Sequence, residues 1–112
     1  MASSSYGFGA GTYGMPATAA AFLSRAYDTG AISPTAVAGN SESVQTFTVT
    51  GLQTQDILIV RKPTVQTNLL VAEGWVSATN TLSIRFVNLS AQSITPTASE
   101  TYRILATRVS AT

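Results

Sequence analysis

The sequence has no cysteine and no histidine. The first absence excludes a disulfide framework and a thiolate metal site. The second removes the commonest metal ligand and the usual general base near neutrality. Charge is also scarce: six Lys/Arg stand against five Asp/Glu, and charged residues make up 10% of the chain, where an average globular domain has about 25%. With a net charge of +1 there is no basic stripe to neutralise phosphates, which argues against nucleic-acid binding. The longest apolar runs are four or five residues, far short of a membrane-spanning helix. The N-terminal stretch has no basic n-region and too short an apolar run for a signal peptide, so a cytoplasmic origin is expected.

What replaces charge is Ser, Thr, Asn and Gln. The hydrophobic share is an ordinary 45% of 112 residues, enough for one domain with its own core. A surface so poor in charge lacks the repulsion that keeps monomers apart. It suits a chain that lives inside a stable assembly.

Organisation changes near residue 42. Residues 1–41 hold six of the eight glycines, two of the four prolines and ten alanines. They read as an extended Gly/Ala-rich N-terminal arm, with residues 42–112 as the folded module. Within the arm, Tyr6, Phe8 and Tyr13 are spaced among glycines, whose backbone is costly to order. Ala17 to Tyr27, "ATAAAFLSRAY", is predicted as one short helix of two to three turns, marginal in isolation. An aromatic leader of this kind is expected to dock on a partner through Tyr6, Phe8, Tyr13, Phe22 and Leu23.

The module alternates with period two, the signature of strands. "SVQTFTVT" puts Gln45, Phe47 and Val49 on one face and Val44, Thr46 and Thr48 on the other. "DILIVRK" is apolar on both faces, which predicts a central strand, and Pro63 ends it. "NLLVAEGWVSA" carries Leu69, Val71 and Trp75 in one phase, predicting Trp75 in the core, with a bulge or edge at Glu73–Gly74. "TLSIRFVN" points Leu82, Ile84 and Phe86 inward, and "TYRILATRV" does the same with Tyr102, Ile104 and Ala106. Five or six strands with no long helix between them predict an all-β fold, an antiparallel β-sandwich or jelly-roll-like module. Thr suits a pleated surface. The shortage of Lys and Glu on edge strands is different, because charge normally protects such edges from pairing with neighbours.

Candidate chemistry is thin. No two of the acids Asp28, Glu42, Asp56, Glu73 and Glu100 are closer than 14 residues in sequence. A carboxylate pair of the glycosidase kind would have to be assembled by the fold, with Glu73 and Glu100 as the pair to test. No Asp/Asn cluster of the calcium-binding kind occurs. A serine nucleophile would need Lys62, the only lysine, as its base. "GFGAGTYG" lacks the preceding strand and following Lys-Ser/Thr of a phosphate loop. Asn88-Leu89-Ser90 is formally a glycosylation sequon. The expectation is therefore no catalysis, no cofactor and no metal. A lectin-like reader using Ala78 to Thr81 is the alternative binding role.

The stretches "VTGLQTQDILIVRKPT", Val49 to Thr64, and "VSATNTLSIRFVNLSAQSITPTASETYRI", Val76 to Ile104, resemble a widespread type of small virion protein of tailed bacteriophages. The shared pattern is a Gly-Leu turn, a strand ending in Lys-Pro, a Val-Ser-Ala…Asn-Thr-Leu hairpin, a Phe-x-Asn strand end and Thr-Pro-Thr-Ala-x-Glu-x-Tyr before the last strand. It covers residues 44 to 106 and leaves the arm outside. Where the type usually opens its second strand with Asp or Gly-Asp, this chain has Gln55-Asp56. The resemblance implies a β-sandwich cement or decoration protein that binds the major capsid protein as a homo-oligomer, a trimer, on the head surface. Head–tail connector and tail-surface roles belong to the same type.

Overall fold

A computed structural model describes residues 21–110 of the chain. Six strands follow one another: β1 (Ala21–Ile32), β2 (Ser41–Thr48), β3 (Ile57–Arg61), β4 (Leu69–Ala78), β5 (Thr81–Asn88) and β6 (Glu100–Ser110). They form two antiparallel three-stranded sheets, ordered β1-β6-β3 and β2-β5-β4. Every connection except the β4–β5 hairpin crosses between sheets. The all-β, sandwich-like architecture is the one the period-two pattern predicts.

The inner faces interdigitate around Leu52, Leu82, Ile84, Phe86, Tyr102 and Ile104, all buried. Each such side chain contributes about 1.5–3 kcal/mol by leaving water. Phe86 and Tyr102 meet edge to face with ring centroids 6.3 Å apart, joining β5 of one sheet to β6 of the other. At Gly74 the sheets come so close that an added Cβ would overlap Val60 Cγ2. Glycine lets the backbone of β4 approach β3 there.

The turns are built from named side chains. Asn80 takes φ +65° at the β4–β5 hairpin and bonds outward in three directions. Its Oδ1 accepts from Gly51 N at 2.8 Å, its N donates to Leu52 O, and its O accepts from Val49 N. Asn88, buried at the end of β5, donates from Nδ2 to Val37 O and Gln92 O, while Oδ1 accepts from Ser90 N. That amide is fully engaged, so the sequon it opens is closed to modification as folded.

Three predictions are corrected. The described part of the expected helix, Ala21 to Tyr27, is strand: β1 pairs along β6 from Ala21↔Ser110 to Asp28↔Arg103. A two- to three-turn helix is marginal alone, and a β6 edge offering a full ladder outcompetes it. Residues 21–32, assigned by sequence to the arm, thus belong to a sheet. Second, β3 is an edge strand rather than a central one; Leu58 and Val60 pack inward while Ile57 and Ile59 are exposed. Third, Trp75 faces outward. The ladder slips between Val71 and Glu73, leaving Ala72 extra, and this inverts the phase of every residue up to Val76. Gly74 and Val76 take the core side opposite Ile84 and Leu82, and Trp75 lies beside Ser83.

Candidate functional site

The register of the β1-β6-β3 sheet assigns its two faces. Tyr102, Ile104 and Ala106 of β6 are buried, so the alternate residues 101, 103, 105, 107 and 109 point away from the core. Beside them across the ladder stand Phe22, Ser24, Ala26 and Asp28 of β1 and Ile57, Ile59 and Arg61 of β3. On this outer face Phe22 is 67% exposed, Ile57 and Ile59 66% each, Val109 49% and Leu105 43%. Five large apolar side chains thus share one uncovered surface, which is unusual for a chain working alone.

Of the five residues expected to hold a partner, Phe22 joins this surface. Leu23, also exposed, sits on the opposite side of β1, at the rim of a concavity of about 180 Å3 lined by Arg25, Tyr27, Ala106 and Arg108. Tyr6, Phe8 and Tyr13 lie outside the described residues. The sequence does not single out Ile57, Ile59, Leu105 and Val109 as a contact surface. For Ile57 and Ile59 the signal is the two-sided apolarity of "ILIV", which buried and interfacial strands share.

The outer face of β2-β5-β4 is chemically different. Arg85, at the middle of β5, lies between Glu42 of β2 and Glu73 of β4, with Nε 2.8 Å from Glu42 Oε1 and Nη1 donating to Glu73 Oε1 at 2.6 Å. The Nε contact is an ion pair off the N–H direction. The guanidinium also lies 5.2 Å from the centroid of Trp75, a cation–π distance. Ser83 Oγ and Ser77 Oγ hydrogen-bond at 2.8 Å beside it.

The remaining ionic groups are tied down. Asp56, its side chain buried, accepts from Arg108 Nε at 2.6 Å and Nη2 at 2.8 Å, and from Gln53 N. The Arg108 hydrogen bond holds the Asp56 carboxyl below the usual range against the opposing effect of burial. Lys62 Nζ donates to Glu100 Oε1 at 3.1 Å and to Thr64 O. The Thr64 hydroxyl, then Lys62, keep the Glu100 carboxyl low. Burial pushes the Tyr102 phenol up to about 12, with Glu100 adding to the effect, and among the described residues its hydroxyl has no hydrogen-bond partner.

Glu73 and Glu100, the carboxylates a hydrolase would need, are each bound to a separate cation in a different sheet. Lys62 Nζ is engaged by Glu100 and Thr64, with no serine hydroxyl among its hydrogen-bond partners in the described residues. Among the described residues no three His, Cys, Asp or Glu gather as a metal site. A concavity of about 590 Å3 around Asn40, Glu42 and Leu89 has Glu42 as its one ionisable lining residue. No described helix is long and apolar enough to cross a membrane.

No protein family, curated protein or solved structure matches the chain. The residues that carry the phage-type motif have structural jobs: Gly51 and Leu52 hold the turn before β3, Asn88 ties two loops, and Tyr102 fills the core.

Proposed function

We propose that this chain is a non-enzymatic structural protein of a tailed-bacteriophage virion, a capsid cement or decoration protein that binds the major capsid protein and stabilises the head. It acts as a homo-oligomer, with a trimer favoured, on the capsid surface after synthesis in the host cytoplasm. The observation that carries the reading is the outer face of β1-β6-β3, where Phe22, Ile57, Ile59, Leu105 and Val109 are left to solvent. A β-body with such a face and, among its described residues, no assembled catalytic group works by being covered. The motif resemblance supplies the virion setting, and Tyr6, Phe8 and Tyr13 supply anchors for the capsid. Several buried aromatics outweigh the cost of ordering a Gly-rich leader only when they fill pockets, and repetition over a symmetric shell adds avidity.

The test is the copy number per purified particle together with rebinding. Hundreds of copies identify a head protein; a dozen or fewer identify a tail or connector component, the alternative position. Deleting residues 2–16 is expected to leave a folded body that no longer rebinds to stripped particles. Undiminished rebinding by the truncated chain counts against the reading.

A second reading, a carbohydrate or receptor reader on the virion surface, draws on one finding: Trp75 faces outward beside Arg85, Glu73 and Ser83. Aromatic rings of this kind pair an apolar surface with polar neighbours. Binding of the isolated chain to a glycan array, abolished by Trp75→Ala, favours it; silence on the array favours the capsid role.

A further inference from the structure

The chain has few charges, and the fold pairs most of them. Arg85 is held between Glu42 and Glu73, Arg108 by Asp56 and Lys62 by Glu100. Among the described residues Arg25, Arg61, Arg103 and Asp28 enter no ion pair. Three of these four meet in one place. Asp28 on β1, Arg103 on β6 and Arg61 on β3 are register partners along a single row of the sheet, and all three are exposed. They line a concavity of about 360 Å3 with Thr101 and Pro63.

The order along the row decides what it lacks. On the other sheet the central arginine, Arg85, has a carboxylate on either side, from β2 and from β4. Arg103 is also on a central strand, with Asp28 opposite it on β1. On its β3 side stands Arg61 instead of an acid. Like charges directly opposite each other cost stability. Asp28 balances Arg103 in charge, so the row keeps one positive charge at its β3 edge. The two guanidinia rise from strands about 4.8 Å apart. That spacing lets them close from two sides on one planar carboxylate, each through paired N–H groups. Thr101, on the same face as Arg103, brings a hydroxyl donor to the concavity. The next row along the face is Leu105 and Ile59, both exposed and roughly 7 Å away by strand rise. An anion carried on a hydrocarbon stem gains apolar contact there that an inorganic anion does not.

We propose that Arg61 and Arg103 form an oxyanion site for one carboxylate, that of an acidic side chain on the protein to which this chain binds. A surplus of one positive charge matches a carboxylate better than a phosphate group, which carries about −1.5 to −2. The site takes its partner from the assembly reading; its oxyanion chemistry stands without it.

NMR of the arginine Nε–H groups in the full chain tests the site, with titrations of sodium hexanoate, acetate and phosphate against sodium chloride at equal ionic strength. Hexanoate is expected to shift Arg61 and Arg103 saturably and to leave Arg25 and Arg108 in place, with acetate and phosphate both weaker. Arg61→Gln is expected to weaken hexanoate by about three- to fivefold, and Arg61→Lys, which keeps the charge and loses the fork, to weaken it too. A response no larger than that to chloride, a preference for phosphate, or equal shifts at Arg25 overturns the proposal. Arg61→Gln/Arg103→Gln is expected to rebind poorly to stripped particles with unchanged circular dichroism, since both side chains are exposed; rebinding equal to the wild type overturns the partner assignment. If the double variant unfolds, Arg61→Gln alone decides. A wild type that takes hexanoate here and does not bind particles sinks the virion reading and leaves the site standing; one that binds particles and ignores hexanoate does the reverse.

Discussion

Asp56 and Arg108 form a two-point ion pair, with Nε and Nη2 donating to the two carboxylate oxygens at 2.6 and 2.8 Å. The pair fastens the turn before β3 to the end of β6. Arg108 Nη2 also reaches Gly51 O at 3.3 Å, and Tyr27 Oη reaches the same carbonyl at 3.4 Å. One corner of the sandwich thus depends on two residues 52 positions apart.

Asp56→Asn is expected to lower the melting temperature at pH 7 by roughly 5–10 °C, because charge-assisted hydrogen bonds are replaced by neutral ones. The Asp56 carboxyl is held low in the folded chain, so its contribution is present above its unfolded value, about 3.9, and is lost as pH falls through the folded value. Melting curves of the two proteins should therefore converge below about pH 4. Curves that stay parallel there rule out the carboxylate as the source.

Tyr102 carries the opposite sign. Its hydroxyl is buried without a partner among the described residues, so Tyr102→Phe removes an unsatisfied polar group and keeps the ring against Phe86. The variant is expected to melt at the wild-type temperature or a few degrees above it. With the phenol pushed up to about 12, its stabilising share is complete below pH ~10 and lost as pH rises toward the folded value. Ultraviolet difference titration should show one tyrosine ionising well after the others. A large loss of stability in Tyr102→Phe would mean that the hydroxyl is bonded.

Gly39→Ala is expected to destabilise strongly, by about 2 kcal/mol or more as an overpacking change. A Cβ there would collide with the backbone carbonyl of Ala91, and backbone cannot swing aside as a side-chain tip can. The same displacement loosens the Val37–Ile94 bridge beside it. Gly74→Ala meets the Val60 side chain instead and should cost less. Chemical denaturation of both variants checks the order.

Trp75 is the single tryptophan, so fluorescence reports its position directly. Acrylamide is expected to quench the native protein substantially, and Arg85→Ala to alter the emission by removing the guanidinium over the ring. A native emission resistant to quenching would return Trp75 to the core.

Much of the fold was legible in the residues themselves. Alternation placed β2, β4, β5 and β6 within a few positions, and Pro63 marked the end of β3, because a pleated chain must send successive side chains to opposite faces. The candidate interface was half legible. The sequence marks Phe22 as a contact, whereas the two-sided apolarity of Ile57 and Ile59 reads as a buried central strand and nothing singles out Leu105 and Val109. An alternating pattern identifies two faces without saying which one another layer will cover.

By itself the sequence determined strands, turns and the lack of cysteine and histidine, since these follow from local backbone preference and composition. Tertiary structure decided the rest. It drew Ala21–Tyr27 into a ladder because β6 offered hydrogen bonds that a short helix could not match. It turned Trp75 outward through the single extra residue Ala72, and it left β3 at an edge with Ile57 and Ile59 uncovered. Each outcome depends on which segments pair and in what register, a choice made by the whole folded chain.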